Sequence, residues 1–269
     1  MLCDKRWAAL LALACVASAL PSCAGAMDAS HAAPSTRVLC YGDSLTAGFW
    51  AGGHRFHPYA QQLSRRLGGC PVDHIGLSGY TSAQMAETIG GNNTAGAVDT
   101  TQQRWLALDE ALNRRRYAWV VILAGTNDLA RLRHAGGPRS PADVVQDIAA
   151  LHRTALSSGA QTLALTVPQP AFEGTLPHMA AGRHEINAGL RAFAAATANV
   201  TLVDLQPVLP HLTATADERA RLWDDTLHFT PAGYDVLGDA VADALLRAGA
   251  ATCGGSSAAG EALQVRNSP

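Results

Sequence analysis

Two segments that lie far apart in this sequence contain the side chains of a serine nucleophile and its base. Ser44 lies in Gly42-Asp43-Ser44-Leu45, and His228 lies in Asp225-Thr226-Leu227-His228. A serine hydroxyl is a weak nucleophile until a neighbouring base takes its proton. His228 can be that base, because Asp225 can hold one ring nitrogen and leave the other free. These residue types predict acyl transfer, with Ser44 as the nucleophile and Asp225 and His228 as its catalytic partners.

Two further segments supply donors for the negative charge that develops in such a reaction. Gly79, in a turn-like stretch, can bring a bare backbone N–H close to a ligand. Asn127, in Gly125-Thr126-Asn127-Asp128, offers a side-chain NH₂ group. If Ser44 begins a helix, its own N–H also points outward. We therefore predict an oxyanion hole built from Ser44, Gly79 and Asn127, in which each donor lowers the barrier by about 3 kcal/mol.

Each segment taken alone also has a simpler explanation. Asp43 and Ser44 are residue types that commonly cap helices. Asn127 can be a polar cap, and Asp225 with His228 can be a capping carboxylate beside a surface imidazole. The catalytic interpretation is favoured because the four segments together supply a nucleophile, a base, an orienting carboxylate and oxyanion donors.

The elements that must position these residues alternate between strands and helices. The sequence predicts strands over 36–41, 71–77, 117–124, 162–167 and 200–205, and helices over 58–67, 100–116, 179–198 and 231–248, with another helix capped by Ser140. This alternation predicts one α/β domain over residues 36–250, with helices on both faces of a parallel sheet. Ligands of such sheets bind beyond the carboxyl ends of the strands, which is where the segments with Ser44, Gly79 and Asn127 fall. The segment with Asp225 and His228 lies just before the last predicted helix.

Composition limits the other possibilities. The chain has 269 residues, of which 48% are hydrophobic, and this length is enough for one sizeable domain. The formal net charge of −2 lacks the basic excess of proteins that bind nucleic acid, so we expect no nucleic-acid partner.

The two ends of the chain differ from the domain between them. Residues 1–26 have the layout of a secretory signal peptide, in which Lys5-Arg6 and an apolar run precede Ala24-Gly25-Ala26. The run is too short for a comfortable membrane span. We expect a secreted or extracytoplasmic protein; an uncleaved hydrophobic tail or a mitochondrial presequence are the alternatives. The Gly/Ser/Ala-rich stretch 254–269 is expected to be a flexible tail.

The cysteines limit how many disulfides can form, and two stretches match the acceptor sequence for N-glycosylation. Outside the leader only Cys40, Cys70 and Cys253 remain, so at most one disulfide forms within the mature chain. Their spacing alone leaves open whether Cys70 and Cys253 pair, and no C-x-x-C spacing indicates zinc. Asn92 and Asn199 lie in N-x-T acceptor sequences, which matter only in a eukaryotic host.

The four polar segments, in this order, resemble the sequence blocks of the GDSL/SGNH hydrolase family, which is named for its Ser, Gly, Asn and His. The matching stretches are Gly42–Leu45, Ser78–Thr81, Gly125–Asp128 and Asp225–His228, although Thr126 stands where a second glycine is frequent. The resemblance extends over residues 36–248. It implies a five-stranded, flavodoxin-like three-layer α/β/α sandwich that cleaves esters without a metal or other cofactor. It also implies that the substrate is a small-molecule, polysaccharide or lipid ester.

Four alternative functions predict different residues or motifs in the sequence. An α/β-hydrolase would show Gly-x-Ser-x-Gly at its nucleophile, and Thr46 stands near Ser44 where the second glycine would fall. A metal site at His54 and His57 lacks an evident acidic partner in the sequence. A carbohydrate-binding, non-hydrolytic relative would be expected to lose Ser44 or His228. An acyltransferase with the same triad stays open, as do the acyl and alcohol groups and the oligomeric state.

Overall fold

A computed structural model of the protein describes residues 36–91, 106–133 and 137–254. The predicted signal peptide over residues 1–26, the acceptor Asn92 and the predicted tail beyond Gly254 lie outside these described residues. No helix within the described residues is long and apolar enough to cross a membrane.

Within the described residues, seven strands form two sheets. In chain order they are β1 (Val38–Gly42), β2 (Phe49–Trp50), β3 (Arg55–Phe56), β4 (Val72–Gly76), β5 (Trp119–Leu123), β6 (Gln161–Leu165) and β7 (Val200–Val203). Five of them form the main sheet in the order β4-β1-β5-β6-β7, with every neighbouring pair parallel. β2 and β3 pair antiparallel in a short hairpin. The predicted five-stranded parallel sheet is confirmed.

Eight helices accompany these strands in the described residues. They are α1 (Ser44–Ala47), α2 (Ala60–Arg66), α3 (Ser82–Glu87), α4 (Leu108–Arg114), α5 (Pro141–Ser157), α6 (Pro177–Ala196), α7 (Ala216–Leu222) and α8 (Pro231–Arg247). Short 3-10 turns occur at Ala51–Gly53, Leu129–Arg131 and Ala171–Gly174.

The helices cover both faces of the sheet, because successive side chains of a strand point to opposite sides. Cys40 and Val121 face one core, which also contains residues of α2 and α8. Leu39 and Val120 face the other core, with residues of α4, α5 and α6. The predicted three-layer α/β/α sandwich is therefore confirmed.

The helix ends show where local sequence signals act. Ser140 caps α5 as predicted, with its hydroxyl accepting from the Asp143 N–H and Pro141 in the first turn. Within the described part of the predicted helix 100–116, the helix begins only at Leu108, because Ala107 has an extended backbone. α3 and α7 were not predicted, although Thr81 and Thr215 begin capping boxes that mark their starts.

One disulfide joins Cys70, just before β4, to Cys253, which follows α8. This resolves the pairing that the sequence left open, and Cys40, the other cysteine within the described residues, is a free thiol buried in β1. The disulfide links the edge strand of the sheet to the end of the last helix.

Candidate active site

Ser44, Gly79 and Asn127 follow strands that end at the same edge of the sheet, whereas Asp225 and His228 lie in the loop between α7 and α8. Gly42, at the end of β1, lies in register with Gly76 of β4 and with Leu123 of β5. A Cβ atom on Gly42 would lie 2.1 Å from the Leu123 carbonyl oxygen, so only glycine allows the strands to approach this closely. The segments that contain Ser44, Gly79 and Asn127 all begin from this edge.

Asp43 fixes the position of Ser44 at the first turn of α1. The Asp43 carboxylate accepts a hydrogen bond from the Leu45 N–H at 2.9 Å, and Ser44 is the first residue of the helix with only 6% of its surface exposed. Burial, together with the nearby charge of Asp128, raises the pKa of Asp43 to about 7 despite the Leu45 hydrogen bond. The capping explanation thus holds for Asp43, and it leaves the Ser44 hydroxyl available.

A continuous hydrogen-bond chain connects the predicted nucleophile, base and carboxylate. Ser44 Oγ lies 3.0 Å from His228 Nε2, and His228 Nδ1 lies 2.8 Å from Asp225 Oδ2. Since a carboxylate only accepts hydrogen bonds, Nδ1 must bear the proton when Asp225 is ionised. Nε2 is then free to accept the proton of the Ser44 hydroxyl.

The loop before α8 holds Asp225 firmly. Its Oδ1 accepts from the Leu227 N–H at 2.7 Å and from the His228 N–H at 2.6 Å. Burial raises the pKa of Asp225. Hydrogen bonds from the His228 backbone and ring and from the Leu227 N–H lower it by more than burial raises it, so the pKa of Asp225 lies below its usual value. Asp225 is therefore ionised at neutral pH and aligned with the imidazole.

The second and third predicted segments contact each other through a side-chain hydrogen bond. Gly79 has φ +81° and lies in a turn closed by a hydrogen bond from the Tyr80 N–H to the Leu77 carbonyl. Asn127 donates one side-chain hydrogen to the Tyr80 carbonyl at 2.9 Å. Because an amide NH₂ has two hydrogens, the other stays available for a ligand.

A buried carboxylate locks these two segments together. Asp128 accepts from the Ser82 N–H at 2.8 Å and from the Ser82 hydroxyl at 2.9 Å. Burial raises the pKa of Asp128, even though both Ser82 hydrogen bonds oppose that change. The contact sets the position of Asn127 relative to the turn that contains Gly79.

Sequence reasoning did not identify every residue around Ser44, His228 and Asp225. The ring of Phe49 lies against the His228 ring, with centroids 4.3 Å apart. Asp224 accepts a hydrogen bond from the Ala51 N–H at 2.8 Å. No spacing rule links these residues, because they meet only through the tertiary fold.

The two histidines considered as a metal site have a different arrangement. His57 Nε2 lies 2.9 Å from Asp235 Oδ1, so an acidic partner exists that the sequence did not reveal. Arg65 also contacts that Asp235 oxygen, at 3.1 Å, while His54 is exposed. Asp235 of α8 thus contacts both His57, which precedes α2, and Arg65 in the last turn of that helix.

Comparisons with known proteins concern the family and the fold. The family model described as GDSL-like Lipase/Acylhydrolase family matches residues 40–236. No curated protein is similar enough to count as a match. A GDSL-like lipase from Bacteroides thetaiotaomicron is 20% identical with a TM-score of 0.56, over 80% of this chain and 89% of its own.

Two other solved structures have the same fold. A lipase/acylhydrolase from Enterococcus faecalis is 20% identical with a TM-score of 0.56, over 78% of this chain and 95% of its own. An acetyl xylan esterase is 15% identical with a TM-score of 0.51, over 78% of this chain and 99% of its own. At these identities the structural similarity concerns the fold alone.

Proposed function

This chain belongs to the GDSL-like lipase/acylhydrolase family, and we propose that it is a serine esterase that cleaves carboxylic esters through an acyl-enzyme on Ser44. The observation that supports this most is the hydrogen-bond chain from Ser44 Oγ to His228 Nε2, at 3.0 Å, and from His228 Nδ1 to Asp225, at 2.8 Å. Nucleophile, base and orienting carboxylate stand in the order that acyl transfer needs.

In the first half-reaction the Ser44 oxygen attacks the ester carbonyl. His228 Nε2 takes the hydroxyl proton as the new C–O bond forms, and Asp225 stabilises the imidazolium that results. The tetrahedral intermediate collapses when the alkoxide leaves, and the imidazolium returns its proton to that leaving group. The product is an alcohol and an acyl group bound to Ser44.

In the second half-reaction water replaces Ser44 as the attacking group. His228 takes a proton from the water, and the resulting intermediate expels the Ser44 oxygen, which regains its proton from His228. The free acid then leaves, and the enzyme returns to its starting state.

Three donors are proposed to stabilise the oxyanion in both halves. They are the N–H of Ser44, the N–H of Gly79 and the free side-chain hydrogen of Asn127. The Asn127 amide is held by the Tyr80 carbonyl, so it does not have to reorganise when the charge develops.

The substrate is proposed to be an ester of a small molecule, a polysaccharide or a lipid. One fold relative is an acetyl xylan esterase, which makes acetylated xylan a sensible member of any substrate panel. Secretion remains a proposal; the Cys70–Cys253 disulfide supports it, because such bonds persist in oxidising compartments. Transfer of the acyl group to an alcohol acceptor is the alternative outcome of the same chemistry.

The test measures p-nitrophenyl acetate hydrolysis by the wild type and by Ser44→Ala and His228→Ala. Each variant is expected to lose activity by about 10⁴-fold or more, because nucleophile and base act as one unit. Ser157→Ala, on the exposed end of α5, and His178→Ala, at the start of α6, serve as matched controls. The proposal is wrong if both triad variants retain wild-type activity, and product analysis with an added alcohol distinguishes hydrolysis from transfer.

A further inference from the structure

Three contacts hold the imidazole of His228. Two of them are the hydrogen bonds to Ser44 and Asp225 already described. The third is the ring of Phe49, whose centroid lies 4.3 Å from the His228 centroid at an interplanar angle of 33°. Hydrogen bonds to the ring nitrogens act in the plane of the imidazole. They leave its two faces open, and Phe49 covers one of them.

Phe49 is itself anchored by the surrounding structure. Its carbonyl accepts a hydrogen bond from the buried Tyr234 hydroxyl at 2.7 Å. The Phe56 ring packs nearly perpendicular to the Phe49 ring across the β2–β3 hairpin, with centroids 5.8 Å apart. A Cβ atom on Gly53 would lie 2.6 Å from the Phe49 ring, so the backbone at the tip of the hairpin packs closely against that ring. The ring therefore has little freedom to move away from His228.

The hairpin also connects the proposed nucleophile Ser44 with its base His228, which is 184 residues away in sequence. On the nucleophile side it follows α1, where the Gly48 carbonyl accepts from the His57 N–H at 2.7 Å. On the base side the Ala51 N–H donates to Asp224 at 2.8 Å, and the Asp224 N–H donates to the His228 carbonyl at 2.9 Å. The hairpin thus contacts both the helix that presents Ser44 and the loop that presents His228.

We propose that Phe49 is a positioning residue for His228, a role that rests on the proposed esterase function. Its ring prevents the imidazole from swinging out of line with Ser44. Its face also attracts the imidazolium that forms when Ser44 attacks, in the manner of a cation–π contact. Since the imidazolium forms only during the reaction, the contact is expected to affect kcat rather than substrate binding.

The experiment compares Phe49→Leu and Phe49→Tyr with the wild type, using p-nitrophenyl acetate. Phe49→Leu is expected to lower kcat about tenfold, in line with the strength of a partly desolvated cation–π contact, and to leave KM within about twofold. Phe49→Tyr keeps the aromatic face and is expected to retain at least half of wild-type kcat. If Phe49→Leu does not fold, Phe49→Met is the second variant, because methionine also lacks an aromatic face and is similar in volume to leucine. The same loss of kcat is expected.

Phe193→Leu is the matched control, because Phe193 is also half-buried and packs on a histidine, His152, with ring centroids 5.5 Å apart. It is expected to leave kcat unchanged, while circular dichroism monitors folding of every variant. Wild-type kcat in a folded Phe49→Leu, or an equal loss in Phe49→Tyr, would overturn the positioning role. Activity that survives Ser44→Ala would instead overturn the esterase proposal, so the two failures are distinguishable.

Discussion

Replacing Asp43 with asparagine is expected to stabilise the protein at alkaline pH while leaving its stability near pH 4 almost unchanged. Asp43 is fully buried, and its carboxylate accepts the Leu45 N–H that begins α1. Asparagine keeps an oxygen for that hydrogen bond, so the helix cap survives the change. What the substitution removes is the ability to ionise.

The size of the effect follows from the pKa of Asp43. Burial raises it from 3.8 to about 7, so the folded chain binds a proton over a pH range in which the unfolded chain has released it. Stability therefore falls as pH rises between these two values and levels off above the higher one. At 1.36 kcal/mol for each pKa unit, the full loss is about 4 kcal/mol, taken as an upper bound.

The assay is urea unfolding of the wild type and Asp43→Asn at several values from about pH 4 to about pH 8.5. The free energy of unfolding of the variant, minus that of the wild type, should increase across this range. Asp143→Asn is the matched control, because Asp143 also caps a helix, but the Ser140 N–H lowers its pKa from 3.8. Asp143 therefore stays ionised over nearly all of this pH range in both the folded and the unfolded chain, so its difference should stay nearly constant. A difference for Asp43→Asn that stays constant with pH would refute the reasoning.

Three further changes test the oxyanion donor, the disulfide and the buried ion pair. Asn127→Ala should lower kcat for p-nitrophenyl acetate by about 10²-fold with little change in KM, whereas an unchanged kcat would exclude Asn127 from the oxyanion hole. Replacing Cys70 and Cys253 with serine should reduce the free energy of unfolding by about 2–5 kcal/mol, measured in urea against a reduced wild type that should show the same loss. Arg183 and Glu173 form an ion pair with side chains 0% and 1% exposed. Arg183→Met should cost about 3–5 kcal/mol by leaving Glu173 unpaired, and restoration of stability in Arg183→Met/Glu173→Gln would identify the unpaired charge as the cause.

Local sequence signals were sufficient for much of the fold. The apolar stretch around Trp119–Leu123 predicted a central strand, and that strand is buried between two neighbours. Ser140 and Pro141 predicted the start of α5 because capping depends on only a few adjacent residues. α3 and α7 were missed because helices of six and seven residues are too short for a clear hydrophobic period.

By itself, the sequence determined the residue types available for chemistry, their order and the parallel sheet that collects them at one edge. Ser44 and Asn127 could be named as candidates because strand ends in such a sheet converge, and His228 because Asp225 lies three residues before it. Only the tertiary structure decided that Ser44 and His228 lie 3.0 Å apart, that Cys70 pairs with Cys253, and that Phe49 covers the imidazole. These contacts join residues distant in the chain, and their distances depend on how side chains pack between layers, which no local pattern of residues encodes.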